Sequence, residues 1–143
     1  MSDVTIYTDE LVADVLNRLG WPDLAPAGVV IGPATDAQQQ SGGVSVLGAG
    51  LPVVERYLPL QWMRAQVRCI AATLEEADHI SFMVNRELHG RTRTIARQSS
   101  TDQRFLVHLS NVIAGPSMHY DSTETWETLL FAELLIGTQP ISP

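Results

Sequence analysis

Residues 9–19, DELVADVLNRL, place Leu11, Val12, Val15, Leu16 and Leu19 at helical spacing. One apolar stripe of that kind predicts an amphipathic helix. Thr8 is positioned to cap its start, Asp9 and Glu10 sit in the first turn where the helix dipole favours acids, and Gly20 followed by Pro22 ends it. The period then changes. Through residues 61–71, QWMRAQVRCIA, Met63, Ala65, Val67, Cys69 and Ala71 alternate with Trp62, Arg64, Gln66 and Arg68, which predicts a half-buried strand with a cationic, aromatic second face. Thr73-Leu74-Glu75-Glu76 reads as a capping box opening a second helix over 74–89, stopped by Gly90. Its core stripe is Leu74, Ala77, Ile80, Val84 and Leu88.

Phe82 stands off that stripe. At 100° per residue it lies about 140° from Ala77, beside His79 and Arg86, with Met83 on the flank. Either the chain's own long loop or a neighbouring subunit covers it. Residues 105–113, FLVHLSNVI, predict a strand, and Gly115-Pro116 a turn after it. Residues 123–136 predict another strand, apolar on both faces in its second half; a helix is the competing reading of the Leu-rich end. Residues 91–104, with Arg91, Arg93, Arg97 and Arg104, read as a short hairpin or a loop. From Trp21 to Leu60 the chain is rich in Pro, Gly and Gln, with strand-like pieces only at 28–32 and 43–48. A loop-rich stretch of that length is usually functional or disordered.

The expected architecture is one α+β domain spanning residues 1–143. A mostly antiparallel sheet of four or five strands carries two amphipathic helices on one face, with a loop-rich 21–60 region. The length of 143 residues suits a single core. No apolar run is long enough to cross a bilayer, and Met1 to Val4 lack the features of a secretory signal. Cys69 is the single cysteine, so no disulfide is inferred and a reducing compartment is expected.

Charge refines the picture. Residues 1–54 hold six acids and one arginine (net −5), residues 55–104 six acids and eight arginines (net +2), and residues 105–143 four acids and no base (net −4). Every basic residue is Arg. Arginine suits fixed bidentate contacts at interfaces, although a GC-rich genome produces the same bias. A net charge of −7 argues against gripping nucleic acid, whose affinity comes chiefly from neutralising phosphates.

The residues that carry chemistry elsewhere do not assemble into a site here. His79 and His89 are roughly 80° and about 15 Å apart on one helix, too far for one ion. His108 and His119 come without HxxxH or CxxC company. Ser117, His119 and Asp121 are close in sequence but no nucleophile elbow precedes them. The glycines at 42, 43, 48 and 50 make no phosphate loop, and Glu75-Glu76 are explained by the cap. The expectation is a protein without enzymatic activity, cofactor or metal.

The stretch from Leu47 to Gly137 resembles the tail terminator proteins of long-tailed bacteriophages, also called minor tail or minor capsid proteins. The features that carry it come in order: the bend Gly48-Ala49-Gly50-Leu51-Pro52, then Glu55-Arg56-Tyr57-Leu58-Pro59-Leu60, and the strand Arg64-Ala65-Gln66-Val67-Arg68-Cys69. A helix ending Leu88-His89-Gly90 and the Gly115-Pro116 turn follow, and Trp126 to Ile136 closes the run. The helix with Leu11, Val15 and Leu19 fits the layout; the long 21–46 segment departs from it. The resemblance implies a six-fold ring in the virion neck, assembled in the host cytoplasm. Such a ring caps the tail tube, ends its polymerisation and presents a joining surface to the head connector or stopper protein. DNA passes through the lumen unbound. A head-closure or stopper ring is the alternative, and a monomeric ligand-binding α+β domain a more remote one. Candidate subunit or partner contacts are Trp62, Arg64, Arg68, Phe82, Arg86, Arg91 and Arg93.

Overall fold

The computed structural model describes residues 5–19, 29–32, 42–48, 53–54, 59–120 and 126–141. Its elements run α1 (Thr8–Leu16, closed by a 3-10 turn at Asn17–Leu19), β1 (Val29–Ile31), β2 (Gly43–Gly48), β3 (Val53–Val54), β4 (Leu60–Ala71), α2 (Leu74–Leu88), β5 (Arg91–Gln98), β6 (Gln103–Tyr120) and β7 (Trp126–Gly137). The strands form one sheet ordered β1-β2-β4-β7-β6-β5, with β3 alongside the start of β4. β1 runs parallel to β2, and all other pairs are antiparallel.

Alternation in the sequence becomes alternation across this sheet. Met63, Ala65, Val67 and Cys69 of β4 and Leu130, Ala132, Leu134 and Ile136 of β7 share one buried face. Leu11, Val12, Val15 and Leu16 of α1 and Ala77, Ile80, Val84 and Leu88 of α2 join the same core. Both helices therefore lie on one side, as the pattern predicts. α1 touches β5 at one margin of the sheet and β1 and β2 at the other, so the sheet curls around it. That curl explains why α1 is buried on more than its apolar stripe, with Thr8 and Glu10 buried as well.

The sheet is larger than expected, seven-stranded and mixed. β5 escapes the hydrophobic pattern because its inward residues are Thr94, Ala96 and Gln98, which carry no strong apolar signal. β1 and β2 take up the strand-like pieces at 28–32 and 43–48, whereas β3 spans two residues, below the length at which periodicity is legible. The 91–104 segment is thus a hairpin with a full strand, and β6 continues well beyond residue 113. Gly115-Pro116 makes no chain reversal. Gly115 sits at the last of three register shifts along β6, at φ +98°, where the chain bulges yet stays paired with β7. A Cβ there would lie 2.4 Å from the Leu129 carbonyl oxygen, so only glycine fits. Bulges bend a strand and increase its twist, and three on one strand favour the curl.

Local caps differ in detail from the pattern. Thr73 caps α2, its hydroxyl accepting from the Glu76 N–H at 3.2 Å. Tyr7, not Thr8, is the N-cap residue of α1 and gives no side-chain cap; Thr8 is already helical. Gly90, at φ +74°, follows α2 as expected. The side chain of Leu19 and the Gly20-Pro22 stop lie outside the described residues. So do the Gln run, the bend at 49–52, the 55–58 segment and Asp121.

Polar contacts fix α1 to the far margin of the sheet. The Arg97 N–H donates to Asp14 Oδ2 at 2.9 Å, and Arg18 donates to the Ile95 carbonyl. Buried Gln98 accepts from the Tyr7 N–H at 2.7 Å and donates to the Thr5 carbonyl at 3.0 Å. Glu10 accepts from the Ser100 N–H at 2.6 Å and from the Ser99 and Ser100 hydroxyls, both at 2.8 Å. Burial raises the pKa of Glu10, but these three donors outweigh it and hold the carboxyl below its usual value.

Two outcomes follow. Gly115→Ala destabilises the fold by about 1–3 kcal/mol or more, through left-handed strain and the clash with Leu129, measured by chemical unfolding. Glu10→Gln costs about 1.5–3 kcal/mol at neutral pH. Because Glu10 titrates lower in the folded state, its contribution is present above the ordinary carboxylate pKa and lost as pH falls through the folded value. The wild-type stability curve should therefore converge on that of Glu10→Gln in acid.

Candidate functional site

The second face of the sheet has no described helix over it; Ser45, Ile70 and Glu127 on it are buried, whereas Trp62, Leu106, Leu109, Leu129, Phe131 and Leu135 are half-buried. Register places Trp62 opposite Leu135 and Leu135 opposite Leu109; Gln66 opposes Phe131, and Arg68 opposes Leu129. Leu106 of β6 stands opposite Ile95 of β5, which is 45% exposed. Apolar side chains thus cross four strands on the open face. Between them stand the charges. Arg64 is exposed opposite Glu133, and Arg97 lies opposite Arg104.

A cavity of ≈ 380 Å³ opens at one end of this face, lined by Pro59, Leu60, Leu106, His108, Gly137, Gln139 and Ile141. Gly137 lies in its lining next to His108, where a Cβ would make ordinary contact with Nε2 at 3.6 Å. The chain after β7 forms its wall. The Ile141 N–H donates to the Arg104 carbonyl at 2.7 Å, and the Thr138 N–H to the Pro59 carbonyl at 2.9 Å. The lining is mostly apolar, with His108 and Gln139 as its polar members.

The sequence-selected residues fall into two groups on different sides of the subunit. Trp62, Arg64 and Arg68 share the open face. Arg68 is bound within the chain, making a two-pronged ion pair with Glu127, one contact being 2.8 Å from Nη2 to Oε2. Glu127 is buried, so this arginine neutralises a carboxylate that the fold has taken out of water. Arg93 is exposed at the β5 margin, at φ +51°, level with the His108 bulge. Phe82 and Arg86 project from α2 on the helix side, Phe82 being 62% exposed. Arg91 turns back to α2, its Nε donating to the Glu87 carbonyl at 2.8 Å and its guanidinium pairing with the Glu87 carboxylate. Arg64, Arg86, Arg93 and Arg104 make no ion pair with any described residue.

Groups with reactive potential are engaged or dispersed. Cys69 is fully buried on the core face, and burial pushes its thiol up to about 12, so it stays protonated and inert. His89 accepts the Val112 N–H on Nδ1 at 3.1 Å, tying the end of α2 to β6. His79 is exposed near the middle of α2 and His108 is at the cavity. The backbones of Ser117 and His119 lie on β6, where they pair with β7. Among the described residues no three His, Cys, Asp or Glu side chains gather as metal ligands. None of the described helices is long and apolar enough to cross a membrane.

Sequence reading does not bring the cavity residues together: it meets His108 only as an isolated histidine and Pro59-Leu60 only as part of the resemblance. The apolar character of 105–113 and 123–136 on both faces was the available signal, but the partners of Gly137 follow only from the register.

No protein-family model matches the chain, and no curated protein matches it. Among solved structures, a chain from the virion of a native gene transfer agent particle has the same fold. It aligns with a TM-score of 0.64 over 93% of this chain and 98% of that chain, at 14% identity.

The open face separates two arginines by their expected behaviour. Arg68→Ala leaves buried Glu127 unpaired and costs about 3–5 kcal/mol of folding stability. Arg64→Ala changes stability by less than about 0.5 kcal/mol. Thermal unfolding of both variants checks this.

Proposed function

We propose that the chain is a structural virion protein of a long-tailed phage or phage-like particle, and that it acts by assembly without catalysis. The observation that carries this reading is end-to-end agreement in fold with a chain of the gene transfer agent virion. The sheet adds a physical reason. An open face carrying Trp62, Leu135, Leu109 and Phe131, with the exposed Arg64 among them, is the mixture of aromatic, aliphatic and arginine side chains that protein interfaces bury.

The finer reading is a tail terminator: a ring, six-fold by resemblance, that caps the tail tube, ends its polymerisation and offers a surface to the head connector. Cyclic rings are built from head-to-tail contacts between two different patches of one subunit, and this subunit carries two, the open sheet face and the exposed stripe of α2. The net charge of −7 suits a lumen through which DNA passes without adhering. The order α1, β4, α2, β6 and β7 is the order of elements on which the resemblance rests, without the turn at Gly115-Pro116.

Purified protein added to polymerising tail-tube subunits tests the role. The expected result is tubes of limited length with a ring at one end in electron micrographs. Tubes of unchanged length, with the protein at neither end, overturn the terminator reading; binding to a head-connector ring instead identifies a stopper. Arg64→Glu should weaken ring formation while leaving the thermal transition in place. The same change at Arg68 is no clean test, because it sets a second carboxylate beside buried Glu127.

A further inference from the structure

We propose that Phe82 of one copy seats in the cavity around Gly137 on the next copy, joining the chain to itself head to tail. The pairing rests on the ring-forming role above and names the two surfaces that make it.

Phe82 is the most exposed of the large apolar side chains described, at 62%. Asp78 and Glu75, about one and two turns before it, lie on the same exposed stripe. The helix that presents it, Leu74–Leu88, carries four acids against one arginine. The cavity is its complement in shape and in charge. A space of about 150 Å³ accommodates benzene, so ≈ 380 Å³ takes a phenyl ring with part of its flanking turn. Arg104 is joined through its backbone to Ile141 in the cavity wall; register sets Arg97 opposite Arg104 and Arg93 level with His108 of the lining. Asp102, bound to Arg97 at 2.5 Å, is the acid in that hairpin turn.

Charge also disfavours the symmetric alternatives. Two copies meeting helix to helix bring four acids against four, offset only by Arg86 on each side, and two meeting cavity to cavity bring arginines against arginines, offset only by Asp102. Helix to cavity sets net opposite charges face to face, and like-charge juxtaposition is what interfaces avoid. A contact between unlike patches leaves one of each free on every dimer, which is the condition for a ring to grow and close.

Two variants test the pairing by analytical ultracentrifugation. Phe82→Asp loses the knob and keeps the cavity; Leu106→Asp loses the cavity and keeps the knob. Each alone should self-associate at least about 30-fold more weakly than wild type. Mixed in equal amounts, they should form a two-chain complex and nothing larger. Thermal unfolding verifies that both are folded, and Ile141→Asp, on the cavity wall, replaces the cavity variant if Leu106→Asp is not. Wild type that assembles while both variants assemble equally well overturns the pairing and leaves the ring standing, as does a mixture that stays monomeric. Wild type that remains monomeric to ~1 mM and never binds tail tubes overturns both.

Discussion

The β6–β7 hairpin carries apolar side chains on both faces, and the two described helices pack on the same one. Phe105, Val107, Leu130, Leu134 and Ile136 are sealed under α1 and α2, whereas Leu106, Leu109, Leu129, Phe131 and Leu135 face the other way and keep part of their surface in water. Apolar burial at roughly 25 cal/mol per Å² makes the first group the source of folding stability. The second group gains its full burial only when something else covers it. The open face and its cavity follow from that imbalance.

The inner half of this arrangement is legible in the sequence because its signals are local. α1, β4 and α2 each carry their own period and, for α2, a cap at Thr73. β5 is invisible because Thr94, Ala96 and Gln98 are buried through hydrogen bonding and small size. Gln98 in particular is held by Thr5, Tyr7 and Thr101, two of them more than ninety positions away. Gly115 reads as a turn because glycine followed by proline usually is one; the left-handed residue serves a bulge here, a distinction set by close approach to Leu129. The parallel pairing of β1 with β2 depends on the path between them, which no periodicity encodes.

The candidate surfaces divide in the same way. Phe82 is visible from helical geometry alone, since its azimuth contradicts the stripe of its own helix. Trp62 and Arg64 follow from strict alternation on β4. The role of Arg68 does not, because its partner Glu127 is 59 positions distant and reaches it diagonally across the β4–β7 ladder. The cavity is least legible of all. It needs Gly137 to stand beside His108 and the segment after β7 to fold against Arg104, and both are consequences of register between strands remote in sequence.

An apolar sheet face invites indiscriminate association, and exposed strand edges make it worse by offering free N–H and C=O groups. Here the edges are guarded. The β5 edge is taken by α1 through Asp14 and Arg18, an ion pair one turn apart at 2.9 Å that also holds the Arg97 N–H and the Ile95 carbonyl. The β1 edge is three residues long. Beyond the end of β5, β6 is irregular, with two register shifts between Val112 and Ser117 that spoil it as a flat template. With strand addition disfavoured, what remains available for contact is the face itself and the acidic stripe that carries Phe82. Contacts through side-chain surfaces of this kind fix orientation as strand edges do not. That is the property a subunit needs if it is to form a closed assembly of defined size instead of a fibre.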